Sequence, residues 1–286
     1  MKEVTDSLGG KPDVASQISE MLSQLGTGPV FVHSDPFRAV KLVPPSRDRI
    51  ALLQSHLDLL GTATSGRAMW MPAFNYDFPR THSFDVAGDP SQLGPIPETF
   101  RLTRAAWRTE IPIFSAAGTG YPPAVTWAQN TDPFGPESIF AKLLEADGVI
   151  LYYGNTFHYN TIVHFAERQA GGPLYRYDKI FQGSVTRRDN SRVNGSLNYH
   201  VRPLGMGLDY DWAAILSRAL DAEACVRLDG HSEVFAASAR ALTRFLVDEM
   251  KMDPLALLDA ETRKWVESKL AELGRRFLIS DFEEAP

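Results

Sequence analysis

The 286-residue chain has a single cysteine, Cys225, so no intramolecular disulfide can close and no thiolate-rich zinc site can be assembled. Long apolar runs are also missing. The longest uncharged central stretch, residues 148–166, is broken by Asn155, Thr156, His158, Asn160, Thr161 and His164, too polar to span a bilayer as an isolated helix. The opening MKEVTDSLGGKPDV carries acids where an export signal needs an apolar core. The expected setting is therefore a reducing cytoplasm, with no membrane partner. Positive charge is in deficit, with 29 Lys plus Arg against 35 Asp plus Glu and a net charge of −6. The broad cationic field that draws proteins to phosphate backbones is absent, and nucleic acid is not an expected partner. Internal repeats, low-complexity tracts and Pro/Ser-rich linkers are lacking too, which favours one domain over two.

The remaining composition, 44% hydrophobic and 22% charged, is that of a globular chain with a sizeable core. Val14, Ile18, Met21, Leu22 and Leu25 recur at a helical period over 14–25. PVFVHS follows as a buried strand ending at His33-Ser34. A helix is expected over 46–60 with Ser46 as its cap, and MWMPAF (69–74) as a strand with Pro72 at an edge or end. Residues 75–97 lack a period and read as a long functional loop. A short helix over 97–103, strands at 111–117 and 149–153, and a helix over 138–144 come next. The loop GNTFHY then leads into a helix starting near Asn160 and stopping before Gly171. Antiparallel strands are expected within 175–200, a helix over 209–220, a strand over 224–228, an amphipathic helix over 234–250 and a final helix. This alternation predicts an α/β fold: a single domain, 14–280, around a central mixed sheet flanked by helices, with flexible termini at 1–13 and 281–286.

Several chemistries lack their motifs. There is no Walker loop, G-x-G-x-x-G turn, G-x-S-x-G elbow or H-E-x-x-H pair, and no metal site is expected. What stands out is Thr161-x-x-His164-x-x-Glu167. Residues three apart on a helix are neighbours, so Glu167 can fix the tautomer of His164 and favour its protonated form, as a general base requires. Such pairs also decorate ordinary helix surfaces, and the pair alone names no reaction. Its place after an apolar strand favours function, because ligands of open α/β sheets gather at strand carboxyl ends.

Six further segments stand in a telling order: MPAFNYDF (71–78), Asp89-Pro-Ser-Gln-Leu-Gly94, Ile96-Pro-Glu-Thr-Phe-Arg101, Ile111-Pro-Ile-Phe-Ser115, Asp132-Pro-Phe-Gly135, and Gly154 followed by Thr161-x-x-His-x-x-Glu167. Together they resemble the aminoglycoside 3-N-acetyltransferase family from about Pro29 to Gly183, more weakly beyond. The resemblance implies an α/β acetyltransferase fold distinct from the GNAT type, with acetyl-CoA as acyl donor and an amine of an aminosugar, antibiotic or biosynthetic, as small-molecule acceptor. Carried over by position, it implies catalytic roles for His164, its partner Glu167 and Thr161, cofactor-binding roles for His33, Ser34, Ser115 and Ala116, and acceptor-side roles for Tyr76 and Asp77. Ile111 stands where that family usually has histidine, which points to a divergent acceptor. Arg187, Arg188 and Arg192, with Lys179, are candidates for meeting an anionic one, although short basic clusters are usually solvated turns. An acyl hydrolase on the same scaffold and an inactive CoA- or sugar-binding homologue are the alternatives. The commonness of two-fold assemblies makes a homodimer the expected oligomer.

Overall fold

The structure, a computed structural model, describes residues 13–203 and 205–283; the expected loose segments 1–12 and 284–286 lie outside the described residues. The described residues form ten strands: β1 (Val30–Ser34), β2 (Met69–Pro72), β3 (Ser83–Asp85), β4 (Trp107–Arg108), β5 (Ala116–Gly118), β6 (Val149–Tyr153), β7 (Tyr177–Thr186), β8 (Arg192–Val201), β9 (Val226–Leu228) and β10 (His231–Ser238). Nine α-helices accompany them among the described residues: α1 (Val14–Ser23), α2 (Arg49–Ala63), α3 (Phe78–Thr81), α4 (Pro95–Thr103), α5 (Ile139–Glu145), α6 (Ile162–Gln169), α7 (Trp212–Asp221), α8 (Ala239–Met252) and α9 (Ala260–Leu273).

Seven strands make one mixed sheet in the order β4-β5-β2-β1-β6-β10-β9, with β1 parallel to β2 and β6 and the outer pairs antiparallel. Both faces are covered, which is why its central strands read as unbroken apolar runs. Phe31, Ile150, Tyr152 and Phe235 pack into one core with residues of α5, α6, α7 and α8. Their alternating neighbours Val30, Val32, Leu151 and Val234 pack into a second with α1, α2 and α4. The fold is the helix-flanked mixed α/β sheet that the alternation predicts. Beside it, β3, β7 and β8 form a three-stranded sheet dominated by the ten-residue β7–β8 ladder.

Five local expectations are corrected. Residues 231–238 are strand β10, not the start of a helix: Val234 to Ala237 are buried between β6 and β9, and a four-residue apolar run carries no period by which to choose. Ser238 then ends the strand and caps α8, its hydroxyl accepting from Ala241 N. The cap of α2 is Asp48, which accepts from Ile50 N at 2.8 Å; Ser46 instead accepts from Asp48 N. Of the expected strand 111–117 only 116–118 is regular, because Pro112 lacks a donor and Ile113 adopts φ 65°, held by a bridge to Asn75. The segment 75–97 contains α3, β3 and the start of α4, tied together by Asn75 to Pro90 O, Gln92 to Asp77 and Ser91 N to Glu98. At the other end, residues 281–283 are tethered rather than loose. Asp281 pairs with Arg275, and Glu283 with Tyr177 and Lys179.

Candidate active site

The parallel pair β1 and β6 ends with His33 beside Tyr152 and Ser34 beside Tyr153. The chain then turns sharply at Gly154, whose φ is 93° and whose missing Cβ would lie 2.3 Å from Asp35 O. A side chain there would collide with the turn that follows β1, so glycine alone lets the two strand ends approach. Thr156 secures the approach by donating to His33 O at 3.2 Å. The loop continues into α6, which places Thr161, His164 and Glu167 next to the strand ends.

Glu167 is fully buried and both its oxygens are engaged. Oε2 accepts from His164 Nδ1 and His200 Nε2, each at 2.9 Å. Oε1 accepts from Tyr175 and Tyr210 hydroxyls at 3.0 and 2.6 Å, with Arg176 Nε at 3.5 Å. Arg176 also donates to Tyr210 Oη at 2.9 Å. Burial alone would push the Glu167 carboxyl up, but the Arg176 charge and the hydrogen bonds from both imidazoles outweigh it and hold the group well below the usual range. Burial, helped by the Glu167 charge, keeps the Tyr175 phenol protonated. Burial likewise dominates at Tyr210, against the opposing pull of Arg176. Carboxylate and guanidinium thus form a buried ion pair in which both carboxylate oxygens accept hydrogen bonds, the condition that makes a buried carboxylate tolerable.

A carboxylate only accepts, so His164 donates through Nδ1 and keeps Nε2 as its free lone pair. Its side chain is 22% exposed where Glu167 is 0%, so the ring is open to its surroundings while its partner is not. Burial and the Arg176 charge lower its pKa to about 4, with Glu167 pulling the other way. The imidazole is neutral at physiological pH. His164, Glu167 and His200 are close enough to be a metal cage, their ligand atoms lying within 4.8 Å of one another. In this arrangement both facing nitrogens donate to Glu167 and Arg176 lies beside it.

Three cavities are linked by shared lining residues, and His164 lines two of them. The first, about 300 Å³, lies among His33, Ser34, Phe37, Pro97 and Tyr159. The second, about 180 Å³, shares His33, Leu93 and Tyr159 with it and reaches Thr161 and His164. The third, about 610 Å³, shares Tyr76, Thr161, His164 and Trp212 with the second and opens toward Arg176, Tyr199 and Tyr210. His164 stands at the junction of a narrow channel and a wide chamber. His33, which stacks on Tyr152 at 5.6 Å, is held neutral by burial, its pKa lowered to about 3. The Ser34 hydroxyl is buried without a partner.

The structure gathers His33, Ser34, Tyr76, Thr161, His164 and Glu167 around this path. It separates the others from it. Ser115 is fully buried, accepting from Arg108 Nε at 3.0 Å and donating to Ala73 O at 2.7 Å, and Ala116 is wholly buried in β5; neither lines the three cavities. The Ser115 hydroxyl is engaged by Arg108 and Ala73 O, while Ala116 N donates to the Thr109 hydroxyl. Asp77 also lies outside the lining, holding Gln92 and Arg80. Arg187 pairs with Glu110, and Arg192 with the Ser184 hydroxyl, so only Lys179 of the suspected basic group lines the chamber. Sequence reasoning missed Tyr175, Arg176, His200, Tyr210 and Trp212. His200 and Tyr210 lie 33 and 43 residues from Glu167, beyond any helical spacing. The run Tyr175-Arg176-Tyr177 was the one available hint.

Among the described residues no helix is long and apolar enough to cross a membrane. The family model described as aminoglycoside 3-N-acetyltransferase matches residues 59–251, and no curated protein sequence matches the chain significantly. Similar solved structures include aminoglycoside acetyltransferase AAC(3)-Xa, at 19% identity and TM-score 0.63, covering 83% of this chain and 92% of the other. AAC-IIIb in binary complex with CoASH matches at 21% identity and TM-score 0.63, covering 83% and 96%. AAC-VIa bound to sisomicin matches at 19% identity and TM-score 0.59, covering 85% and 98%.

Proposed function

Since the chain belongs to the aminoglycoside 3-N-acetyltransferase family, an enzyme family of acyl-CoA-dependent N-acyltransferases, we propose that it moves an acetyl group from acetyl-CoA to an amine of an aminosugar, with His164 as general base. One observation carries the reading: a neutral imidazole, oriented by Glu167 at 2.9 Å, lines both the narrow channel and the wide chamber. That geometry suits a thioester arriving from the side of His33 and Ser34 and an amine arriving from the side of Tyr76. The solved structures of AAC-IIIb with CoASH and of AAC-VIa with sisomicin hold the two broad classes of ligand that such a path would join, a coenzyme and an amine-bearing sugar.

The amine attacks the thioester carbonyl through its lone pair, and His164 Nε2 takes the proton that nitrogen sheds. Glu167 stabilises the imidazolium formed. The C–S bond then breaks as the amide forms, and the proton passes from the imidazolium to the departing CoA sulfur. No covalent enzyme intermediate is required, because the thioester is already activated, and alignment of the two reactants supplies much of the rate. The Thr161 hydroxyl, which now donates to Tyr159 O at 3.2 Å, can rotate to donate to the developing oxyanion. Release of CoA thiol from acetyl-CoA with and without amine acceptors tests the reading. His164→Ala is expected to lower acceptor-dependent turnover by at least ~100-fold with CoA affinity unchanged. Near-normal turnover in a folded variant would remove His164 from the chemistry, and thiol release that no amine accelerates would replace transfer by hydrolysis.

A further inference from the structure

The chamber beyond His164 is not built for a polycation. Its cations come from the β7–β8 hairpin and the residues flanking it: Arg176, Lys179 and Arg202. Among the described residues its acids are two, Asp209 and Glu283. Arg176 is neutralised by Glu167 and Lys179 by Glu283. What is left is one charge of each sign. Arg202 has no acidic partner among the described residues, its guanidinium reaching only Leu208 O at 3.4 Å. Asp209 accepts from a backbone N–H, that of Tyr210 at 2.8 Å. The rest of the lining is aromatic, with Phe74, Tyr76, Phe181, Tyr199 and Trp212 among it and Phe181 stacked on Tyr199 at 5.6 Å.

Resting on the transfer reading, we infer that the acceptor carries one amine and one acidic group on a ring-bearing body, and is not a multiply charged aminoglycoside. The aromatic walls take the apolar face of a sugar ring or a planar group. Arg202 meets the acid through a fork that suits carboxylate or phosphate. Asp209 offers a single negative charge, enough for one ammonium group but not for several, and each additional cation of a polycation would face Arg202 and the paired Lys179 without compensation.

Titration calorimetry of the CoA-loaded protein with D-glucosamine 6-phosphate, D-glucosamine and sisomicin reads this directly. The phosphate is expected to bind at least about fivefold more tightly than either other ligand, the upper range of an exposed ion pair, and Arg202→Ala is expected to abolish its advantage over glucosamine. Sisomicin binding as tightly as the phosphate, equal affinity for glucosamine and its phosphate, or a preference that survives Arg202→Ala overturns the inference. Failure of the transfer reading shows elsewhere, as thiol release from acetyl-CoA that no amine accelerates, whatever the binding order.

Discussion

Replacing Glu167 by glutamine changes one atom and tests the whole hub. The wild-type carboxylate accepts from two imidazoles and two phenols and neutralises Arg176. An amide offers one accepting oxygen. With its NH2 toward His164 it donates to Nδ1 and drives the proton to Nε2, the nitrogen that must stay free; with its NH2 toward Arg176 it sets donor against donor. Either way Arg176 is left as a buried charge without its counterion, a situation that costs about 3–5 kcal/mol. At ~2.1 cal/mol/K per residue the 286-residue chain unfolds with an entropy of about 0.6 kcal/mol/K, so the loss corresponds to a Tm lower by about 5–8 °C. Catalysis loses a charge-assisted hydrogen bond to the imidazolium, worth ~1.5–3 kcal/mol, or roughly 10- to 150-fold in turnover. Adding Arg176→Met removes the orphaned cation and is expected to recover at least about half of the lost stability and none of the activity. Thermal melts and thiol-release kinetics on wild type, both single variants and the double variant complete the cycle. A Glu167→Gln protein melting within about 2 °C of wild type, or a double variant no more stable than Glu167→Gln alone, would refute the charge balance argued for the hub.

Three more outcomes are expected. His33 and His164, held to about 3 and about 4, are protonated near ~6.5 once unfolded; the unfolded chain therefore binds protons that the folded chain refuses, and stability falls as pH drops from about 6.5 toward 4. His33→Gln should flatten that slope in urea unfolding between pH 7 and 5, and an unchanged slope would show that His33 does not carry it. Gly154→Ala, at φ 93° with 2.3 Å to Asp35 O, should lower Tm and raise KM for acetyl-CoA through displacement of the His33-Ser34 turn; a wild-type melt and KM would remove the close approach from the account. Asp77→Ala should leave KM for the acceptor within about twofold, since its carboxylate serves Gln92 and Arg80, and a tenfold rise would put it back beside the acceptor.

Legibility in the sequence followed the range of the interaction. The central strands β1 and β6 are short, β-branched or aromatic runs bounded by turns, and a local reading finds them. The His164–Glu167 pair is equally local, one helical step long. What holds Glu167 is not: Tyr175, His200 and Tyr210 arrive from the segment after α6, the end of β8 and the start of α7, and no period links them. The β10 strand was misread for a related reason. Val234 to Ala237 are apolar because both faces of the sheet are covered there, and a strand buried on both faces loses the alternation that would mark it. Ser115 differs in kind: it is a motif position whose hydroxyl accepts from Arg108 and donates to Ala73 O, and the second of these contacts spans 42 residues, which no local pattern shows.

The substitution at Ile111 can be weighed against this geometry. Ile111 is buried and lines a different cavity, of about 380 Å³, together with Thr126, Asn130 and Ser138, and it does not line the channel or chamber at His164. Loss of a polar group there leaves the Glu167 hub untouched. Phe114, three residues on, lines both that cavity and the chamber, and its ring packs on Tyr199 at 5.1 Å. The intervening Ile113 is a β-branched residue at φ 65°, a conformation costing of order 1–3 kcal/mol, so the segment is held in one strained path that aims Phe114 between the two spaces. Phe114 thus extends the chamber's aromatic wall without adding charge, and under the proposed transfer Arg202, Asp209 and ring stacking would select the acceptor while His164 takes the proton.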